Sequence, residues 1–204
     1  MDALSADFGE ILGENSNMKG RESGMPAKEM WEGFFSPAET LRILGLKEAK
    51  DAVEFGCGYG TFTIPAAKIV KGKVYAIDIE SQMTDATEKE AKKQGLQNIE
   101  TIQRDFMTEG TGLKEESIDY AMIFNILHID NPQIMLKEAW RILRQKGRLG
   151  IIHWNYDAKT PRGPSMEIRP KPSDCMEWAE NTGFVQPKQY DLKPYHYGIV
   201  MRKE

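Results

Sequence analysis

Cysteine is scarce in this chain of 204 residues: Cys57 and Cys175 are the two present. They make no disulfide framework, and no C-x-x-C pair offers a zinc or redox site. Such sparing use fits a reducing compartment. There are three histidines, His128, His153 and His196, and their separations match no H-E-x-x-H or related pattern, so no metal is expected. A membrane span needs ~20 apolar residues. The longest apolar run, about 121–129, is interrupted by Asn125 and His128. Residues 1–15 are acidic without an apolar stretch, so no secretory signal is expected there. Positive charge is not in excess either: 27 Lys and Arg face 31 Asp and Glu, for a net charge of −4. A general binder of nucleic acid or anionic membranes needs a basic footprint, so neither partner is expected, although a small basic pocket is not excluded.

What is present suits an ordinary globular domain. Hydrophobic residues make up 40% of the chain and charged residues 28%, proportions that can bury a core. We expect one domain over 1–204 in a cytoplasmic protein, with no repeat or linker.

Glycines punctuate residues 1–25, which read as irregular. Pro26 can open a helix over 28–35, where Trp31, Phe34 and Phe35 share one helical face. These aromatics are either core or part of a lid. Ser36-Pro37 starts a second helix that Gly45 ends. From there the pattern alternates. Strands are expected at 51–55, 73–79, 99–104, 118–125 and 148–154. Helices are expected at 60–70, 82–94 and 132–144, the last with Ile134, Leu136, Ala139, Trp140 and Leu143 as its buried stripe. Strands alternating with helices mean a parallel sheet, and strands apolar on both faces mean helices on both sides. Residues 155–172 break the rhythm with Pro161, Pro164, Pro170 and Pro172, and they are locally basic. A long loop in a compact domain is more often functional than idle. A helix at 173–181 and two strands, 185–192 and 196–202, complete the chain.

The most informative stretch is Glu54-Phe55-Gly56-Cys57-Gly58-Tyr59-Gly60-Thr61. A hydrophobic strand runs into G-x-G-x-G and a helix follows. Glycines allow a tight turn and let a ligand approach bare backbone. In doubly wound sheets the first strand's carboxyl end is where ligands bind. The dinucleotide pattern G-x-G-x-x-G is not met, because Thr61 stands where its third glycine belongs. Glu54 would repel a pyrophosphate but could pair with an ammonium group. The turn therefore suits a nucleoside with a cationic amino-acid tail better than a dinucleotide. Asp78, closing the second strand, can accept hydrogen bonds from ribose hydroxyls. Asp105 could take an adenine amine, with Phe106 beside the ring.

With these residues in order, the chain resembles the class I S-adenosylmethionine-dependent methyltransferases over roughly residues 50–154. Glu54 to Gly60 looks like the family's first motif, Asp78 its ribose acid and Asp105-Phe106 its adenine-side pair. Asn125 matches the position facing the methionyl segment. Ile126-Leu127-His128 and the helix ending Glu138-Ala139-Trp140-Arg141-Ile142-Leu143 resemble the branch acting on small molecules. Leu143-Arg144-Gln145-Lys146-Gly147 departs from the usual L-[KR]-P-G-G, which loosens a turn remote from the chemistry. The amine-methylating signature N-P-P-[YF] is absent.

The resemblance implies a doubly wound, seven-stranded, mostly parallel α/β sheet, Rossmann-like, with an antiparallel C-terminal edge. It divides the chain into an N-terminal helical lid (1–45), a cofactor-binding core (46–154) and a substrate loop with C-terminal strands (155–204). The implied cofactor is S-adenosyl-L-methionine, leaving as S-adenosyl-L-homocysteine. Its site would comprise Glu54, Gly56, Cys57, Gly58, Gly60, Asp78, Ile79, Asp105, Phe106 and Asn125. The implied reaction is methyl transfer to a small-molecule acceptor. His128 and His153 read either as polar packing residues or as a base, and His196 as structural. Arg21, Arg162 and Arg169 are candidates to clamp a carboxylate or phosphate, hence an anionic acceptor. Two rival readings stand beside this one. One is a protein that binds the cofactor without turnover. The other is a nucleotide-binding oxidoreductase, which Thr61 and Glu54 disfavour.

Overall fold

A computed structural model describes residues 27–204, and the candidate Arg21 lies outside them. Seven strands form one sheet: β1 (Ala52–Phe55), β2 (Val74–Asp78), β3 (Ile99–Gln103), β4 (Ile118–Phe124), β5 (Leu143–Trp154), β6 (Phe184–Leu192) and β7 (His196–Lys203). Their order is β3-β2-β1-β4-β5-β7-β6. The first five run parallel, while β7 lies antiparallel to β5 and β6 antiparallel to β7. The sheet is thus mostly parallel with an antiparallel C-terminal edge. The order reverses beside β1, so β1 and β4 leave a crevice at their carboxyl ends, where open α/β sheets take ligands.

Side chains alternate between the faces of this sheet, and each face has its own core. On one, Val53, Phe55, Ile77, Ile123 and Ile151 pack with Met135, Leu136 and Ala139 of α6 (Pro132–Ile142) and with Cys175 and Ala179 of α7 (Pro172–Glu180). On the other, Ala52, Val74, Met122 and Ile152 meet Leu41 of α2 (Pro37–Ile43) and Ala66 and Ala67 of α3 (Thr63–Ile69). Burial on both faces explains why the strands read as continuous apolar runs. The helix α4 (Ser81–Lys93) buries Met83, Thr84, Thr87 and Ala91, about one helical turn apart.

The structure departs from the expectations in four places. The first helix, α1 (Lys28–Glu32), stops at Gly33, so Phe34 and Phe35 lie beyond it. They are instead wedged into the body, Phe34 against Trp154 at 5.2 Å and Phe35 against Phe62 at 5.1 Å between ring centroids. The buried stripe of α6 is Met135, Leu136, Ala139 and Ile142, while Ile134 faces outward. Leu143 belongs to β5 rather than to that helix, because it pairs with Ile118 and its carbonyl accepts from the buried Lys203 Nζ at 2.8 Å. A four-residue helix, α5 (Phe106–Glu109), had no periodicity to announce it; the Asp105 side chain caps it by accepting from Met107 N at 3.0 Å. Among the described residues no helix is long and apolar enough to cross a membrane, and no group of three or more His, Cys, Asp or Glu side chains could hold a metal.

Candidate active site

The turn after β1 is built from two glycines in the left-handed region, Gly56 at φ 72° and Gly58 at φ 51°. The amides of Gly56 and Cys57 both donate to the Ile77 carbonyl, at 2.8 and 3.0 Å. This folds the turn back over the end of β2. A Cβ on Gly56 would lie 2.9 Å from Ile126 Cδ1, so the glycine is also required by a close approach. Asp78 ties the turn from the other side, its Oδ2 accepting from Gly58 N at 2.9 Å and its Oδ1 from Glu80 N at 3.1 Å. Thr87 of α4 donates to the Gly58 carbonyl at 3.0 Å.

Beneath the turn lies Glu54, 3% exposed, with the Thr63 hydroxyl donating to it as its hydrogen-bond partner. Burial pushes its carboxyl up to about 8, and the neighbouring Asp78 adds to that rise while the Thr63 bond opposes it. Asp78 is also raised, chiefly by burial. A buried carboxylate without a paired cation is costly. Such a group could receive a positive charge delivered from outside.

The turn opens onto a cleft of about 940 Å³, part of it open to solvent. Glu54, Gly56, Cys57 and Gly58 line it from β1, and Asp78, Ile79, Asp105 and Phe106 from the ends of β2 and β3. Asn125, Ile126 and His128, from the loop after β4, complete it. Asn125 stands in the left-handed region at φ 57°, held there as its amide donates to the Ile152 carbonyl at 2.7 Å. Its side-chain Oδ1 and Nδ2 are both buried without a protein partner, and so is Thr61 Oγ1. A native fold seldom tolerates buried unpaired polar atoms unless something else satisfies them. Here three such atoms belong to residues that line one cleft, beside three carboxylates.

The cleft thus unites nine of the expected site residues: Glu54, Gly56, Cys57, Gly58, Asp78, Ile79, Asp105, Phe106 and Asn125, with His128 among them. Gly60 is corrected. It does not line the cleft; its φ of 78° and the 2.9 Å from a hypothetical Cβ to Thr87 Oγ1 show that packing against α4 requires it. His153 lies outside the lining too, fully buried with its Nε2 3.3 Å from His128 Nδ1. Arg169 stands apart as well. Its guanidinium donates to the carbonyls of Asn155, Asp157, Arg162 and Pro164 and to Thr160 Oγ1, so it braces the loop rather than facing an acceptor. Arg162 is exposed, with its Nη1 3.3 Å from Met30 Sδ, and does not line the cleft. His196 is structural as expected, clasped between the rings of Phe35 at 4.4 Å and Trp154 at 4.3 Å.

Trp31, one of the aromatics offered as core or lid, reaches the lining. The sequence reading missed Thr61, Phe62, Met107, Phe124 and Ile129 there. Of these only Thr61 carried a signal, since a hydroxyl residue replaced the third glycine of the dinucleotide pattern. A family model described as a methyltransferase domain matches residues 52–147. With the strand order and the acid-lined glycine turn, this decides the matter. Residues 52–147 are a methyltransferase domain of the class I S-adenosylmethionine-dependent type.

Its relatives and structural neighbours agree. A demethylmenaquinone methyltransferase of Lactobacillus johnsonii is 30% identical over 132 residues, which are 63% of this chain and 52% of the relative. A ribosomal RNA small subunit methyltransferase A of Desulforapulum autotrophicum is 29% identical over 87 residues, 41% of this chain and 30% of that protein. The chain spans about half the length of the first demethylmenaquinone methyltransferases it matches. The crystal structure of a SAM-dependent methyltransferase from Aquifex aeolicus superposes with a TM-score of 0.77 at 25% identity, covering 87% of this chain and 94% of that one. The cofactor of this methyltransferase family is S-adenosyl-L-methionine. The residues present fit it: a buried carboxylate with no cation beside it for an ammonium group, acids at the tips of β2 and β3, and an unsatisfied amide after β4.

Proposed function

We propose that this protein transfers a methyl group from S-adenosyl-L-methionine to a small, uncharged acceptor. Glu54 and the backbone at Gly56, Cys57 and Gly58 hold the amino-acid end. Asp78, with Ile79 beside it, holds the ribose; Asp105, Phe106 and Met107 hold the adenine; Asn125 faces the methionyl segment. Bound there, the donor supplies a methyl group already activated by positively charged sulfur. The chain's own work is then to align the acceptor and keep water away from it.

The observation that carries the reading is the unpaired Glu54 carboxylate beneath a bare-backbone turn. The nature of the acceptor is read from the rest of the lining. Among the described residues no Lys or Arg lines the cleft, while Glu54, Asp78 and Asp105 do. An anionic acceptor would meet repulsion without a counter-charge, so the reading turns from an anionic acceptor to a neutral one. Trp31, Phe62, Phe124, Ile126 and Ile129 supply an apolar wall that suits a ring. The names of the relatives that act on demethylmenaquinone support an acceptor of quinone type. The net charge of −4 and the cation-free cleft favour a small molecule over RNA. Trp31 of α1 reaches the cleft wall, which supports a lid role for the N-terminal helices. Two buried, unpaired thiols suit a reducing cytoplasm.

Calorimetry with S-adenosylmethionine, S-adenosylhomocysteine and NAD tests the donor site. Binding of NAD alone would overturn the assignment. Incubation with methyl-labelled donor and a metabolite extract then separates turnover from mere binding, because a non-catalytic binder labels nothing.

A further inference from the structure

We propose that the loop after β5, residues 155–171, together with the neighbouring face of α1, is a docking surface for an anionic phospholipid bilayer. The contact itself stands apart from the methyl-transfer reading. Its use rests on that reading, because a ring acceptor apolar enough for the cleft wall concentrates in lipid rather than in water.

Five large hydrophobic residues are exposed among the described residues, and three of them, Met30, Tyr156 and Ile168, belong to this one surface. The loop and α1 touch through Arg162, whose Nη1 is 3.3 Å from Met30 Sδ. The loop leaves the carboxyl end of β5, the end of the sheet at which the cleft opens. Trp31, next to Met30, lines that cleft. The surface therefore borders the way into the site.

A loop free to fold back would bury such side chains, but this one is held. Arg169 gathers the carbonyls of Asn155, Asp157, Arg162 and Pro164 from inside. At one root Asn155 N donates to the Tyr195 carbonyl at 2.8 Å; at the other the Tyr197 hydroxyl donates to the Pro170 carbonyl at 3.0 Å. Between them Gly163 lies against Trp154, where a Cβ would stand 2.8 Å from the ring carbon Cγ. With a guanidinium filling its interior, the loop presents Tyr156 and Ile168 outward, 45% and 54% exposed.

The charge agrees. The loop carries four cations, Lys159, Arg162, Arg169 and Lys171, against Asp157 and Glu167, in a chain whose total is −4. Asp157 turns one carboxylate oxygen onto its own loop, accepting from Lys159 N at 2.8 Å. Lys171 Nζ lies 4.9 Å from the centre of the Tyr156 ring, ammonium and aromatic side by side. On α1, Lys28 is 3.7 Å from Glu32. Apolar tips set among cations suit the headgroup layer, where the tips enter the acyl boundary and the charges meet lipid phosphates. The negative remainder of the chain opposes adsorption elsewhere and so selects this side. A partner protein would need a continuous matched surface of about 800 Å², which separate tips do not make.

Flotation of the full chain with vesicles tests this without donor or acceptor. Vesicles of phosphatidylcholine mixed with phosphatidylglycerol should carry the protein upward. Phosphatidylcholine alone should bind it several-fold less, and added salt should weaken binding to the mixed vesicles. Tyr156→Ser combined with Ile168→Ser should weaken binding by roughly tenfold or more. Lys159→Gln and Arg162→Gln should each cost roughly fivefold. Ile43→Ser, at an exposed apolar residue of α2 outside the loop, should change nothing. Absence of binding to either vesicle overturns the proposal, as does binding that Ile43→Ser weakens as much as the loop variants do. A native dimer that the double serine variant makes monomeric, read by sedimentation, overturns it in favour of a second copy on this surface. Melting curves identify a variant that has unfolded; should the double variant do so, the two glutamine variants and the salt dependence still decide. Donor calorimetry runs without vesicles, so failure of the docking surface and failure of the methyl-transfer reading are read apart.

Discussion

Asn125 combines two costs: a left-handed backbone and a buried amide with no protein partner. Non-glycine residues keep such conformations where the surroundings over-determine them, often at functional sites. The two costs can be separated. Asn125→Gly should hold or raise the melting temperature while weakening donor binding. Asn125→Ala should weaken binding equally but unfold more readily than the glycine variant by about 1 kcal/mol, since alanine resists positive φ. Equal donor affinity in all three proteins would remove the amide from the site. Glu54 carries a second prediction. Burial holds its carboxyl at about 8, above the usual 4.5, so the folded chain is mostly protonated there at neutral pH. Docking an ammonium group beside it favours the ionised form, and binding at pH 7 should release a proton. Calorimetry in two buffers of different ionisation enthalpy reads this directly, and Glu54→Gln should abolish it. The sign for stability is the reverse of an ordinary carboxylate. Its contribution is fully present below about pH 4.5 and is lost as pH rises through about 8. Glu54→Gln should therefore flatten the alkaline side of the stability profile.

Among the elements, the loop between β5 and α7 shows how a residue's type can mislead about its task. Arg169 stands in a proline-rich basic stretch, where a guanidinium could equally grip an anion or fasten a loop. The sequence shows five donors but not what they meet; the fold supplies a ring of carbonyls within 3.3 Å. Arg169→Ala should destabilise the protein by about 1.5–3 kcal/mol, the range for bonds to a charged group. Urea unfolding measures that cost, and limited proteolysis should find new cuts in 155–169. Donor affinity should change little; a loss of about tenfold or more, equivalent to ~1.4 kcal/mol, would return Arg169 to the binding site. The elements themselves were largely legible. Strand–helix alternation, the glycine turn and the proline-rich break each leave a local signature. The early start of β5 was not, because a buried Lys203 holds it through a contact distant in sequence; nor was α5, whose four residues are too few to show a helical period.

For the molecule as a whole, the donor should act as a stabiliser. A ligand that binds only the folded state adds roughly 2.7 kcal/mol at a hundredfold excess over its dissociation constant. For a domain of this size that corresponds to a rise of about 5–10 °C in melting temperature. S-adenosylmethionine and S-adenosylhomocysteine should both produce it, and NAD should not. A rise with NAD alone would contradict the assembly of acids around the turn.

The sequence by itself determined the layered fold, the place of the glycine turn and the acids at the strand tips. All of these follow from short-range rules: the period of apolar residues, the conformational freedom of glycine, and the end of a strand as a fixed point in space. The tertiary structure alone decided which polar groups are left unsatisfied, that Gly60 and Arg169 serve packing, and that one histidine stands behind another. Those facts depend on which distant segments meet, and burial and pairing have no local trace in the order of residues.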